Sequence, residues 1–269
     1  MSGPVLLSSC PVCDCDDYEL VLRRKDVPIR FPLQRRAGDN STVIHHHGQV
    51  ELAQCHACSL IYNRRFNESV IDHCGDFKDV QQLSARSQSY LADLAEDLQH
   101  RYSLNQSRIL EIGCGDGEFL KLLTLASASH GVGFEPSAPH GCAAGQPSIR
   151  IHPRVFNAFD AAGQYELACL RHVLEHVPEP LPVLALVTNS LRPNRGNIYV
   201  EVPNGARNEC YEQCLYFNAR SLRQLLISGG FDAVEVEERS GGQFLAGYGT
   251  VCTAGSSQPV VSKAWSRAA

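Results

Sequence analysis

From residue 108 onward, short apolar runs alternate with segments in which apolar residues recur at helical spacing. The runs "RILEIG" (108–113), "GVGFEP" (131–136), "IRIHP" (149–153), "YELACLRHV" (165–173), "GNIYVEVP" (196–203) and "DAVEVEER" (232–239) predict strands. "GEFLKLLTLASA" (117–128), "PLPVLALVTNSLR" (180–192) and "ARSLRQLLISGG" (219–230) predict helices. Strands that are apolar throughout and separated by helices imply a parallel sheet covered on both faces, an α/β fold. "GGQFLAGYGTVCTA" (241–254) supplies a last strand, and the small, polar tail from Gly255 reads as disordered. Upstream, Leu83, Tyr90, Leu91, Leu94 and Leu98 fall on one helical face within 79–102 and predict a linking helix. Before it the chain has no clear period and is rich in Cys, His and Arg; 33–49 reads as a loop or hairpin excursion. The expected organisation is an N-terminal module over 1–78, a linker over 79–104, an α/β domain over 105–254 and a tail over 255–269.

Composition narrows the class. The 269 residues carry a formal net charge of −5, which argues against a general nucleic-acid binder but leaves room for a local basic patch. No stretch approaches the roughly 18 apolar residues of a membrane span. The N-terminus lacks the basic region of a signal peptide. The expectation is a cytoplasmic protein with no membrane or nucleic-acid partner, as a monomer or a homodimer. Twelve cysteines without an export signal point to reduced thiols, some of them bound to metal.

Chemistry concentrates where the first strand meets the first helix. Residues 111–117 read E-x-G-x-G-x-G. A glycine turn between strand and helix lets a ligand approach backbone N–H groups. Gly113 and Gly115 fill two slots of the dinucleotide fingerprint, but Glu118 stands in the third. No Lys-Ser/Thr pair follows, which excludes a phosphate-binding P-loop. The pattern resembles motif I of the class I S-adenosylmethionine-dependent methyltransferases. The likeness continues through "GVGFEPS" (131–137), "YELACLRHVLEHVPEP" (165–180) and "CLYFNARSLRQLLISGGFDAVEVEE" (214–238). It implies a Rossmann-like seven-stranded sheet and S-adenosylmethionine as cofactor. It implies a cofactor site of Glu111, Gly113, Cys114, Gly115, Gly117, Glu135, Pro136 and Arg171, with Glu111 near the amino group. Glu135 stands 24 residues after Glu111, close to the offset of about 20 for an acid that accepts ribose hydroxyls. By the same resemblance Asn157, Ala158 and Phe159 cover the adenine.

Two C-x-x-C pairs, Cys10/Cys13 and Cys55/Cys58, lie 41 residues apart. Paired knuckles offer two soft ligands each to a tetrahedral zinc. The separation exceeds the usual ribbon spacing, and the 33–49 excursion accounts for the excess. The segment resembles the zinc-binding module that precedes some methyltransferase domains, among them C-methyltransferases of nucleotide-linked deoxysugars. A structural zinc is therefore expected on Cys10, Cys13, Cys55 and Cys58. Cys15 and Cys74 are extra thiols. His45, His46 and His47 read as solvated loop or as a substrate or metal contact, and His56 reads as surface.

Methyl transfer requires alignment of nucleophile, methyl and sulfur. It also requires a base where the acceptor carries a proton. His172, Glu175 and His176 follow a strand at the carboxyl edge of the sheet, where open α/β folds bind ligands. They are read either as functional or as braces of that loop. Tyr211 and Tyr216 are further candidates beside the acceptor, Asn204 is a possible acceptor contact and Glu201 is read as buried structure. The deoxysugar enzymes carry a His-Glu-His run where this chain has Tyr211, Glu212 and Gln213, which speaks against sugar C-methylation. The reading that follows is a methyltransferase acting on a small-molecule acceptor in specialised biosynthesis, with His172, Tyr211 and Tyr216 as catalytic candidates. Two rivals stay open: another use of the sulfonium, such as cyclisation or transfer of a different alkyl arm, and a non-catalytic zinc and cofactor-binding module.

Overall fold

The structure is a computed structural model that describes residues 6–28, 47–67, 85–138, 146–161, 164–205 and 213–251. The expected tail and Leu83 lie outside these residues. The first sheet contains β1 (Tyr18–Pro28), β2 (His47–Cys55), β3 (Ile61–Asn63) and β9 (Leu215–Tyr216). The second contains β4 (Arg108–Ile112), β5 (His130–Phe134), β6 (Ile149–His152), β7 (Leu167–Arg171), β8 (Asn197–Pro203), β10 (Phe231–Arg239) and β11 (Phe244–Val251). The helices are α1 (Ala85–Arg101), α2 (Glu118–Ala126), α3 (Pro180–Ser190) and α4 (Ala219–Ser228), and one turn of 3-10 helix spans Leu174–His176.

The large sheet runs in the order β10-β11-β8-β7-β4-β5-β6, a Rossmann-like sheet of seven strands. β8, β7, β4, β5 and β6 pair in parallel. The apolar continuity of "LACLR" and "RILEI" follows from burial on both faces. On one face α1 buries Leu91, Leu94 and Leu98 against Phe119, Leu120 and Leu123 of α2. Each such leucine contributes about 1.5–3 kcal/mol. On the other face Leu184 and Val187 of α3 join Leu222, Leu225 and Leu226 of α4. Pro180 opens α3, and Asn218 caps α4 through a reciprocal bond pair with Ser221. The sheet departs from the all-parallel expectation in one strand, since β11 is antiparallel to both of its neighbours. Four residues separate β10 from β11, and Ser240, Gly241 and Gly242 take positive φ there. So short a turn closes a hairpin, and a parallel crossover does not fit in it.

The N-terminal region corrects the expectation of irregular chain. Its described residues form an antiparallel sheet in which β1 pairs β2, β2 pairs β3 and β3 pairs β9. β1 is mostly exposed and bulged twice, so it carries no apolar alternation for a sequence pattern to show. β2 buries Glu51, and Arg23, Arg64 and Arg65 surround its carboxylate at 3.0, 2.9 and 3.2 Å. The fourth strand comes from the far side of the chain. Val12, Leu60 and Tyr62 share one core with Leu174, Phe217 and Leu222.

Candidate active site

The glycine turn lies between β4 and α2, beside the point where the connections from β4 and β7 diverge to opposite sides of the sheet. That crevice is where open α/β sheets bind ligands. Gly113, Gly115 and Gly117 have φ of +71°, +56° and +83°, values that favour glycine over any L side chain. At Gly113 the protein itself fills the space: a Cβ there would fall inside the Val173 side chain. At Gly115 the backbone N–H donates to Glu135 Oε2 at 3.3 Å. Glu135 Oε1 accepts from Ser137 N at 2.9 Å and Ser137 Oγ at 2.7 Å. An ionised carboxylate offers about four lone-pair sites, so Glu135 keeps capacity for a ligand hydroxyl. Pro136 is exposed in the turn after it. Cys114 is buried, and its Sγ closes on Gly133 so tightly that a Cβ at Gly133 would stand 2.5 Å away.

Glu111 is buried, and its Oε2 has no hydrogen-bond partner. Burial pushes its carboxyl up to about 8, against the pull of Arg171. An orphaned carboxylate oxygen beside a glycine turn fits an ammonium-bearing ligand, and Glu135 fits a ribose. On these two observations the cleft accommodates S-adenosylmethionine. Arg171 closes the same wall, with its Nε donating to Glu201 Oε1 at 3.1 Å and its guanidinium 4.7 Å from the Phe119 ring centre. The 155–160 loop is braced by its own side chains. Arg154 grips both Asp160 oxygens at 2.6 and 2.5 Å, and Asn157 Oδ1 accepts from Phe159 N. Ala158 is exposed, and Phe159 stands 95% exposed at the loop tip. Phe156, which the sequence reading passed over, is the buried member and packs edge-on against Phe134 at 5.0 Å.

A second cluster surrounds His172. Its φ is +54°, unusual for a residue with a side chain, and its N–H donates to the Glu201 carbonyl at 2.8 Å. The ring lies between two carboxylates, with Nδ1 3.5 Å from Glu175 Oε1 and Nε2 3.3 Å from Glu201 Oε1. The second contact is an ion pair without hydrogen-bond alignment. Phe244 packs edge-on to the imidazole at 4.9 Å. Burial alone would discharge His172, but Glu175 and Glu201 outweigh it and raise it to about 9. Glu201 is fully buried. The cost of that burial is outweighed by His172, Arg171 and the Tyr90 hydroxyl, which hold it down at about 2. Tyr199 also donates to Glu201, at 2.8 Å. His172 is therefore an imidazolium at neutral pH.

Only the fold assembles this cluster. Tyr90 lies in α1, Tyr199 and Glu201 in β8, and Phe244 in β11, and no local spacing joins them. The other sequence-predicted candidates fall elsewhere. His176 is 3.9 Å from Glu175 Oε1. Asn204 braces the β10–β11 turn through Gly242 O at 3.0 Å. Tyr216 is buried in β9, paired with Ile61. Tyr211 and Glu212 lie outside the described residues, as do His45, His46 and Cys74. His47 pairs with Asp26 at 2.8 Å, and His56 is exposed.

The Sγ atoms of Cys10, Cys13, Cys55 and Cys58 all lie within 4.8 Å of one another, a group that can hold a metal ion. Cys10–Cys58 and Cys13–Cys55 approach to 3.6 and 3.5 Å. Tetrahedral zinc–thiolate bonds of about 2.3 Å place sulfurs about 3.8 Å apart, so the set fits such an ion. Asp14 and Ser59 turn the two knuckles with φ of +56° and +61°. Cys15 Sγ instead points to the Asp17 carbonyl at 3.7 Å.

Sheet order, glycine turn and strand-end acid together define a cleft for a nucleoside-bearing ligand. A methyltransferase-domain family model matches residues 85–236. The chain belongs to this methyltransferase-domain family, whose class I members depend on S-adenosylmethionine. It is 25% identical over 169 residues to a ubiquinone biosynthesis O-methyltransferase of Aeromonas salmonicida, covering 59% of this chain and 66% of that protein. It is 26% identical over 142 residues to one of Escherichia coli O157:H7, covering 48% and 54%. The chain thus spans between about half and just under two thirds of the length of these curated relatives. Among solved structures it is similar to a 1,6-didemethyltoxoflavin-N1-methyltransferase of Burkholderia thailandensis, with 18% identity, a TM-score of 0.49 and coverage of 64% of this chain and 81% of that one. No helix among the described residues is long and apolar enough to cross a membrane.

Proposed function

We propose that the chain transfers a methyl group from S-adenosylmethionine to a small-molecule acceptor in a biosynthetic reaction. The observation that carries this reading is the Glu135 carboxylate, bonded to Gly115 N across the glycine turn at 3.3 Å. The acid stays where two adjacent hydroxyls can reach it. Glu111 supplies the buried carboxyl, which ionises as the ammonium group binds it, and Gly113, Cys114, Gly115 and Gly117 form the floor. Pro136 and the 157–159 tip flank the nucleoside end. When bound, the cofactor supplies an electrophilic methyl on sulfonium sulfur. The names of the O-methyltransferase relatives support an oxygen acceptor.

His172 is an imidazolium held between two carboxylates, so it enters the reaction as a fixed cation. It orients the acceptor oxygen, and the proton that an acceptor hydroxyl releases on methylation leaves to water, since the charged ring cannot take it. The four knuckle thiolates hold a structural zinc. Calorimetric titration of metal-loaded chain with S-adenosylmethionine and with S-adenosylhomocysteine tests the reading. Micromolar binding is expected. Absence of binding of both ligands to folded chain refutes it. Mass spectrometry of turnover products then separates methylation from other uses of the sulfonium.

A further inference from the structure

The N-terminal sheet and the His172 loop are joined by an unbroken line of backbone hydrogen bonds. The second knuckle, Cys55–Cys58, closes through Cys55 N to Leu60 O at 2.9 Å and Ser59 N to Cys55 O at 2.8 Å. β3 follows at once, and Ile61 and Tyr62 pair with Tyr216 and Leu215 of β9. Asn63 N then donates to Cys214 O at 2.8 Å, and Cys214 N donates to Glu175 O, also at 2.8 Å. Glu175 in turn carries one of the two carboxylates that hold the His172 ring. A side branch leaves the same knuckle, where Asn218 Nδ2, on the residue that caps α4, donates to Ser59 O at 2.6 Å. Leu60 and Tyr62 are fully buried in the core that also holds Leu174 and Phe217. The cofactor turn takes its backbone support from β4, β5 and Glu135, and meets the His172 loop through the side chain of Val173 at Gly113.

We infer that the thiolate cluster is a positioning element of the acceptor side of the active site: occupation of the four cysteines by metal fixes β3, β3 fixes β9 and Cys214, and these hold Glu175 and His172 in place, while the cofactor turn keeps its own backbone support from β4 and β5. The inference rests on the zinc reading above. Its physical basis is that β9 is two residues long and has only β3 as sheet neighbour among the described residues. Once β3 loosens, the outer support of the Glu175 loop loosens with it.

The test is amide hydrogen exchange by mass spectrometry on the full chain, zinc-loaded and after chelation. It is repeated on Cys55→Ser and on Cys15→Ser, a thiol outside the cluster. Exchange in peptides covering 171–177 and 213–218 is expected to rise about tenfold or more on metal loss, the scale of a local opening. Peptides covering 108–118 and 130–137, and the affinity for S-adenosylhomocysteine, should stay within about twofold. Cys15→Ser should behave as wild type. Unchanged protection of 171–177 in metal-free chain overturns the inference and leaves the zinc reading standing. An equal rise in the cofactor peptides with loss of S-adenosylhomocysteine binding also overturns it, since the metal would then support the whole fold. Chain isolated without metal, with 171–177 already protected, removes both.

Discussion

Replacing Glu201 by Gln removes one negative charge from the centre of the buried cluster and leaves its shape nearly unchanged. In the native chain Glu201 faces Arg171 and His172 and accepts from Tyr90 and Tyr199. The rise of His172 from its ordinary 6.5 to about 9 corresponds to about 3 kcal/mol of preference for the imidazolium, at about 1.4 kcal/mol per tenfold. The sign follows from linkage. A histidine raised in the folded state contributes stability that is complete below 6.5 and is lost as pH climbs from 6.5 to about 9. Glu201, lowered from 4.5 to about 2, contributes stability that is complete above 4.5 and is lost as pH falls toward 2. Both shifts describe largely one set of attractions, which counts once. Breaking a buried pair on one side costs about 3–5 kcal/mol, and that is the expected loss for Glu201→Gln at pH 6. The difference should narrow by about 2 kcal/mol by pH 9.5, where the native His172 has also discharged. Glu111, lifted to about 8 by burial, loses stability as pH rises from 4.5 to about 8 and shares Arg171 with Glu201, so the ring titration of His172 is needed beside the stability difference to isolate the cluster. Urea unfolding of metal-loaded chain across pH 6–9.5, together with carbon-13 titration of the His172 ring, measures both quantities. A native His172 that titrates near 6.5, or a difference that does not change with pH, refutes the reasoning.

Glu135→Ala should weaken S-adenosylhomocysteine binding by about 1.5–3 kcal/mol, the range for bonds to a charged group. Calorimetry checks this, and unchanged affinity in folded chain contradicts the ribose assignment. Gly113→Ala should destabilise by about 2–4 kcal/mol, because it combines a positive φ with a clash into Val173. Part of that loss should return in the double variant with Val173→Ala, as read by urea unfolding. Gently purified chain should carry one zinc by elemental analysis, and Cys55→Ser should lose it. A metal-free native protein would contradict the thiolate assignment. Raising the pH from 6 to 8 should not discharge His172, so the imidazole should stay charged over that range in a ring titration.

The segments that the sequence made plain are those whose burial pattern is local. "RILEI", "LACLR" and "NIYVEVP" are apolar because both faces of those strands are covered, and that requirement is written in each stretch separately. E-x-G-x-G-x-G was legible for a similar reason, since three alternate residues all take positive φ. The C-x-x-C pairs announced themselves because each knuckle is complete within a few residues. β1 carried no such mark. It is mostly exposed, and its strand conformation depends on β2 beyond a long connection.

The sequence by itself thus determined the α/β order, the glycine turn, the strand-end acid and the two C-x-x-C pairs, because each depends on local periodicity, backbone freedom or short-range spacing. Tertiary structure alone decided that β9 completes the N-terminal sheet and that Val173 occupies the space beside Gly113. It also decided that His172 is a cation. The last point shows the physical reason: the charge of an imidazole is set by the sum of its surroundings. Here those surroundings are Glu175 three residues away, Glu201 on the next strand, and, bonded to Glu201, a tyrosine that precedes Glu201 by 111 residues. No pattern along the chain encodes a sum taken through space.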